Sequence, residues 1–325
     1  MGWHGRAINQ LDKGFRMAAR RGKESRLMKT LNLCLLAASM FGLAIPVPAG
    51  EIPRAYLNHT VAIGRKDAHG NCTEEATGFF YGKFDHKESA DRNAYNGFLV
   101  TNRHVIEEHM AATSGGPLSV RINKKNGRLE EVDFPLDING VPTWHAHPDQ
   151  GVDLAVVRIN GTWFEQNGVE FGFFRGDMDA LSRAKAKDLG LSEGLGVFVV
   201  GFPMSLVGQS QDYPIVRQGS IARVRDSLES PNSVKSFLID CFIFPGNSGS
   251  PVVLRPEDLL AQFAGEKPPI RAAYLIGLVS SYIPYTDVAV SVQTKRPRVT
   301  FEENSGLTQV IPVDYIDETI EDFGK

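Results

Sequence analysis

Gly246-Asn247-Ser248-Gly249-Ser250-Pro251 is followed by the apolar run Val252-Val253-Leu254 and preceded by Phe237-Leu238-Ile239 and Phe242-Ile243-Phe244. Two glycines flank one serine in a tight turn between apolar segments. Glycine lets the backbone bend until successive N–H groups point into one concavity. A turn of that kind can present a serine hydroxyl beside an oxyanion hole made of main-chain amides. Gly, Asn and Ser are also ordinary turn residues, so the stretch alone is compatible with a plain hairpin connection. The decision rests on whether the rest of the chain supplies a base and an acid, because a serine hydroxyl is a weak nucleophile without them.

The candidate base is His104, at the end of the apolar run Gly97-Phe98-Leu99-Val100-Thr101-Asn102-Arg103-His104. The sequence places it in a short polar turn where that strand ends. The candidate acid is Asp153, at the mouth of the apolar strand Leu154-Ala155-Val156-Val157. Asp149 competes for the role. Asp153 is preferred because a buried strand directly behind it would hold its carboxylate rigidly.

Thr101-Asn102-Arg103-His104-Val105, Asp153-Leu154-Ala155-Val156-Val157 and Gly246-Asn247-Ser248-Gly249-Ser250-Pro251 occur in the order His, Asp, Ser. In order and local pattern the chain resembles the trypsin-like (chymotrypsin-fold) serine peptidases, and within them the bacterial branch that includes the HtrA-type enzymes. Further matching segments are Ala76-Thr77-Gly78-Phe79-Phe80, Val199-Val200-Gly201-Phe202-Pro203, Val216-Arg217-Gln218-Gly219-Ser220-Ile221, Gly277-Leu278-Val279-Ser280 and Ile311-Pro312-Val313-Asp314-Tyr315-Ile316. The likeness runs over residues 55–320. Three motifs in one order weigh far more than any one of them, because chance matches would have to coincide.

The resemblance implies two six-stranded antiparallel β-barrels with a short C-terminal helix. It implies that Ser248 is the nucleophile, His104 the base and Asp153 the group that orients the imidazole. The amides of Gly246 and Ser248 would bind the oxyanion, and Ser280 would support Asp153 and line the cleft. Residues 50–165 would form the barrel carrying His and Asp. A connection over 166–195 would lead to a second barrel over 196–325 carrying Ser. Two departures stand out. Asn247 replaces the aspartate that digestive members pair with a new amino terminus, so that activation route is not expected. The chain also ends soon after Ile316, and no appended peptide-binding (PDZ) domain is expected.

Peptide hydrolysis by Ser248 through an acyl-enzyme is the expected activity. A catalytically silent binding module on the same fold, and an esterase using the same three residues, are the alternatives. The walls of the primary pocket would come from the strand before the serine turn and from the strand after Gly277. Phe242 and Tyr282 are the candidate lining residues. No acid stands at Phe242, so a preference for Lys or Arg is not expected, since a buried cation needs a paired charge. Tyr282 is expected to narrow the pocket in favour of small or medium apolar side chains.

His145-Ala146-His147-Pro148-Asp149 has metal-ligand spacing, but zinc catalysis needs about three protein ligands and an open position. All eight histidines lie before residue 148, leaving none downstream to complete such a set. This segment is therefore read as a polar loop, and no metal or other cofactor is expected.

The 325 residues are 42% hydrophobic and 22% charged, as in ordinary globular chains. Many short apolar runs punctuated by Gly, Pro, Asn and Asp predict an all-β fold. Helices are expected over Met178–Gly190 and over Val313–Phe323, where Tyr315, Ile316, Ile320 and Phe323 recur at helical spacing. Residues 1–29 carry eight basic and two acidic groups. An apolar stretch from Leu31 to Ile45 follows, ending in Val47-Pro48-Ala49. Residues 1–49 thus read as a leader with an export signal, and the protein is expected in the periplasm or outside the cell. Without that leader 27 basic groups face 36 acidic ones, a net charge of −9. Protein or peptide substrates are the expected partners. An acidic molecule is not expected to bind nucleic acid, and no stable membrane association is expected once the signal is removed. Cys72 and Cys241 remain after the leader, and spacing alone does not make them a pair.

Overall fold

Alternating apolar runs build two sheets, and a turn-rich connection links them. The computed structural model describes residues 50–67, 69–89, 92–169, 172–256 and 272–324, and the leader expected over 1–49 lies outside these. The elements bearing on the site belong to one compact unit. The first sheet is built from β1 (Thr60–Lys66), β2 (Cys72–Ser89), β3 (Arg92–Thr101), β4 (Leu118–Asn123), β5 (Leu129–Phe134), β8 (Trp144–Ala146) and β9 (Ala155–Arg158). Its order is β5-β4-β1-β2-β3-β9-β8, with β10 (Phe174–Arg175) added parallel to β2. A separate two-residue ladder joins β6 (Asp137–Ile138) to β7 (Val141–Pro142).

The second sheet is a closed six-stranded barrel. Its strands are β11 (Gly196–Gly201), β12 (Ile215–Arg223), β13 (Phe237–Asp240), β14 (Pro251–Leu254), β15 (Leu275–Val290) and β16 (Pro297–Pro312), closed in the order β11-β12-β13-β16-β15-β14. A mostly β fold is thus present, with one barrel closed by hydrogen bonds. The first sheet has eight strands, and its pairing path leaves β5 and β8 as ends among the described residues.

Among the described residues there are six α-helices, α1 (Arg54–Leu57), α2 (Arg103–Thr113), α3 (Gly161–Gln166), α4 (Arg183–Leu189), α5 (Arg225–Glu229) and α6 (Asp314–Phe323), and one 3-10 turn over Pro203–Ser205. The expected helix over 178–190 shortens to α4. Ser182 caps it by accepting from the Lys185 amide, and Gly190 ends it at φ +76°. Residues before Ser182 are held otherwise: the Asp179 carboxylate accepts from the Arg175 amide and guanidinium, and Ala180 bridges to Leu275. The C-terminal helix begins one residue later than expected, at Asp314. None of these helices is long and apolar enough to cross a membrane.

Three apolar clusters hold the fold. One fills the first sheet around Ile63, Phe80, Leu99 and Leu118. One fills the barrel around Val199, Ile239, Val252 and Val279. The third lies between them, where Phe79, Val100, Leu154 and Phe174 meet Leu278, Ile311, Ile316 and Ile320. This central cluster sets how the two sheets face each other, and with it the separation of residues carried on each.

Candidate active site

Leu99 and Val100 are fully buried and pair with Val157 and Val156 of β9. That pairing brings the end of β3 beside the start of β9. The chain then enters α2, whose residues Val105, Ile106 and His109 are buried. His104 therefore sits in the first turn of a helix, where the sequence suggested only a polar turn. Helix starts leave amide donors unpaired. Asp153, just ahead of β9, fills this role: its Oδ1 accepts from the His104 amide at 3.1 Å. Two neighbours lock the junction. Asn102 donates to the Asp153 carbonyl at 2.8 Å. The buried Arg103 guanidinium donates to the carbonyls of His147 and Asp149 and to the Gln150 side chain.

The His104 ring spans from acid to hydroxyl. Nδ1 lies 2.8 Å from Asp153 Oδ2, and Nε2 lies 3.1 Å from Ser248 Oγ. Ser280, on β15, donates to the same Asp153 Oδ2 at 2.8 Å. Burial works against a charged imidazole, but the hydrogen bond and charge of Asp153, with Glu108 and Glu107 nearby, outweigh it and raise the His104 pKa above its ordinary value. Burial likewise pushes the Asp153 carboxyl up, yet the hydrogen bonds from His104 and Ser280 and the His104 charge hold it below the usual aspartate value.

Ser248 stands in a turn that only glycine permits on either side. Gly246 has φ +97°, and a Cβ there would come within 2.3 Å of the Phe202 carbonyl oxygen. Gly249 has φ +82°, and its Cβ would meet the Thr77 carbonyl oxygen at 2.2 Å. Asn247 is fully buried inside the turn: its Oδ1 accepts from the Phe244 amide at 3.1 Å and its Nδ2 donates to Ser250 Oγ at 3.2 Å. The turn is thus held by its own side chain at the position where an aspartate would seek an amino terminus. Among the described residues, the amides of Gly246 and Ser248 donate to no protein acceptor. They are therefore available to a ligand.

One residue quoted in the sequence but given no role there fastens this turn to the first sheet. The buried Thr77 hydroxyl donates to the Gly246 carbonyl at 2.7 Å and accepts from the Phe202 amide at 3.0 Å. Its amide donates to the Ser248 carbonyl at 2.9 Å, and its carbonyl accepts from Thr101 Oγ1 at 2.9 Å. Thr77 touches both halves of the site, the end of β3 and the serine turn. The segment after Phe202 has a second tether. Arg121 of β4 donates to Asp212 at 3.2 Å, to Glu74 at 2.9 Å and to the Gly208 carbonyl at 2.7 Å. Burial is the largest influence on Asp212 and lifts its pKa to about 6 despite the guanidinium. No local motif announces either tether, because the partners lie far apart in the chain.

The two candidate pocket residues lie on the strands either side of the serine turn, or next to them: Phe242 follows β13 and Tyr282 is on β15. Phe242 is half exposed, and its ring lies where a side chain on Gly306 would come within 3.3 Å. Tyr282 sits two residues after Ser280, and its hydroxyl donates to Glu302 at 2.8 Å. The histidine pair 145/147 turns elsewhere. His145 meets Asp322 at 2.9 Å and stacks on Phe323, while His147 faces Glu318 at 3.4 Å and packs edge-on against Tyr315. Asp149 pairs with Lys235 at 2.9 Å. Those three residues anchor the loop against α6 and its surroundings and do not join the site. Cys72, Glu74 and Glu131 form the one cluster with metal-ligand spacing among the described residues, and Arg121 already supplies the positive charge beside both glutamates. Cys72 and Cys241 are both free thiols.

Residues 76–261 match the family described as a trypsin-like peptidase domain. No curated protein matches the chain.

Proposed function

The chain belongs to the trypsin-like peptidase domain family, and we propose that it is a serine endopeptidase that cleaves peptide bonds through an acyl-enzyme. The observation that carries this reading is the His104 ring, with Asp153 at 2.8 Å on one nitrogen and Ser248 at 3.1 Å on the other. Both distances are within direct proton-transfer reach. Ser248 Oγ attacks the scissile carbonyl as His104 Nε2 takes its proton. The oxyanion that forms is met by the Gly246 and Ser248 amides. His104 then returns the proton to the leaving amine, and a water activated by the same ring releases the acyl group. Asp153 fixes the tautomer that leaves Nε2 free and stabilises the imidazolium. Ser280 holds Asp153 in register.

Asn247 closes the serine turn from within, which favours a turn already shaped without an activating cleavage. The reading takes the first sheet as the first barrel of the pair, with its β5 and β8 ends unpaired among the described residues. The bacterial HtrA-like branch remains the favoured subgroup on motif pattern. The leader favours an exported protein acting in the periplasm or beyond. Phe242, rather than an acid, at the expected pocket base, together with Tyr282, favours small or medium apolar side chains over Lys or Arg.

Incubation with a mixed peptide library, followed by mass spectrometry of the products, tests the reading. Cleavage by the wild type and none by Ser248→Ala is expected, with a loss on the order of 10⁴ to 10⁶ in turnover. Equal cleavage by both proteins would overturn it.

A further inference from the structure

Arg103 is the first residue of α2 and the neighbour of His104, and it is only 6% exposed. Burying a charge is costly unless it is paired. Among the described residues no carboxylate lies within ion-pair distance of this guanidinium, and its Nε has no hydrogen-bond partner. Its other nitrogens face neutral acceptors. Nη2 donates to the His147 carbonyl and, at 3.1 Å, to the Asp149 carbonyl, while Nη1 donates to Gln150 Oε1 at 2.6 Å. Three acceptors within four consecutive residues converge on one planar fork. A lysine ammonium, a compact point charge, does not match such a set. Buried charges contribute little net stability. What distinguishes this one is the residue carried by the loop it grips.

That loop runs from β8 to Asp153 and is folded tightly on itself. The Asp149 amide donates to His147 Nδ1 at 3.0 Å, the Gly151 amide to Asp149 Oδ1 at 2.8 Å and the Val152 amide to the Asp149 carbonyl at 3.0 Å. The His147 amide donates to the Leu154 carbonyl at 3.0 Å, which closes the loop across Asp153. Its outer side is held by Lys235 on Asp149 and by Tyr315 against the His147 ring. Residues 147–154 are thus bound into one body that carries Asp153. The pairing of β3 with β9 ends at Thr101–Ala155. Beyond it, this body is joined to the start of α2 by Asn102 on the Asp153 carbonyl, by Asp153 on His104 and by Arg103.

Resting on the reading of His104 and Asp153 as base and orienting acid, we propose that Arg103 is a positioning residue whose grip on the 147–150 loop sets how closely the Asp153 carboxylate approaches His104. A carboxylate tied only at its tip can swing with the loop behind it. A second attachment, several residues away, fixes the body that carries it. Arg103 donates to neither the His104 ring nor the Ser248 hydroxyl, so it acts through Asp153. Such placement matters to rate, because a shift of about 1 Å costs on the order of a hundredfold. The other charged groups near the ring are Glu107 and Glu108 of α2. Ser248 faces it from the serine turn, and Ser280 of β15 shares the Asp153 carboxylate. None of these is gripped by Arg103.

Titration of the His104 ring by nuclear magnetic resonance, assigned with His104→Ala, tests the proposal alongside kcat and KM. Arg103→Lys keeps the charge and loses the fork. Its His104 midpoint should fall, because a retreating Asp153 raises it less. Its kcat should drop on the order of tenfold to a hundredfold with KM nearly unchanged. Gln150→Ala removes one acceptor carried by an exposed residue. It should give a smaller shift in the same direction, and that shift decides the matter if Arg103→Lys does not fold. In an Asp153→Asn background Arg103→Lys should add almost nothing, since residues that act through one another are not additive. A lower melting temperature with an unmoved midpoint would mark a merely structural residue and overturn the proposal. So would a midpoint that rises, or losses that multiply with those of Asp153→Asn. Ring titration needs no turnover, so a folded protein that cleaves no peptide but shows both shifts refutes the peptidase reading and retains the clamp.

Discussion

At the scale of single residues, His104 is held in a balance that has a measurable consequence. Burial opposes its charge, and Asp153 more than compensates, so its pKa is raised. The proposed base must be neutral to accept the Ser248 proton. A raised value therefore delays activity to higher pH, with a midpoint above the ordinary histidine value of about 6.5. Asp153→Asn removes the charge that raises it. The variant should turn over far more slowly, by about 10⁴ through the wrong imidazole tautomer, and its pH midpoint should move down. Asp149→Asn should change neither, because Asp149 faces Lys235 outside the site. Turnover measured against pH for the three proteins checks this; a damaging Asp149→Asn or an unmoved midpoint in Asp153→Asn would count against the roles given. His104, Asp153 and Ser248 were legible in the sequence because each lies in a local motif whose order repeats a known pattern. The choice of Asp153 over Asp149 followed from the buried strand behind it, and that strand, β9, pairs with β3.

At the scale of elements, the serine turn depends on a contact from another sheet. Thr77→Val keeps the shape of the side chain but leaves the buried Gly246 carbonyl and Phe202 amide without their partner. Each lost bond of that kind costs about 1–3 kcal/mol. The expected result is a lower melting temperature and a fall in kcat larger than any rise in KM, since the turn carrying Ser248 loosens while the rest of the cleft stays. Thr77→Ser, which retains both bonds, should restore most of the activity. A fully active Thr77→Val enzyme would contradict the tether. Sequence reading missed this role because hydrogen bonds to Gly246 and Phe202 span 169 and 125 residues. Periodicity detects faces of one element, not a hydroxyl shared between two. The same limit applies to α2, where short apolar spacing after His104 was masked by the polar run at its start. It applies also to the outer parts of β15 and β16, whose exposed, mixed residues carry little alternation between core and solvent.

At the scale of the whole molecule, the mostly β character followed from many short apolar runs between turn residues, the helices other than the C-terminal one and part of α4 did not, and a closed six-stranded barrel holds Ser248 at one of its loops. Closure of the first sheet was not legible, because pairing of the strand ends is set by long-range register and not by the composition of β5 or β8. The two sheets meet over Phe79, Val100, Leu278 and Ile316, and this packing is what brings a helix start on one side to within 3.1 Å of a serine on the other. If this convergence activates Ser248 as proposed, one serine is uniquely nucleophilic. Labelling of the intact protein with a fluorophosphonate, followed by peptide mapping, tests it most directly. One modified residue, Ser248, is expected, with labelling abolished by His104→Ala. Labelling at another serine, or no labelling of a protein shown to be folded, would contradict it.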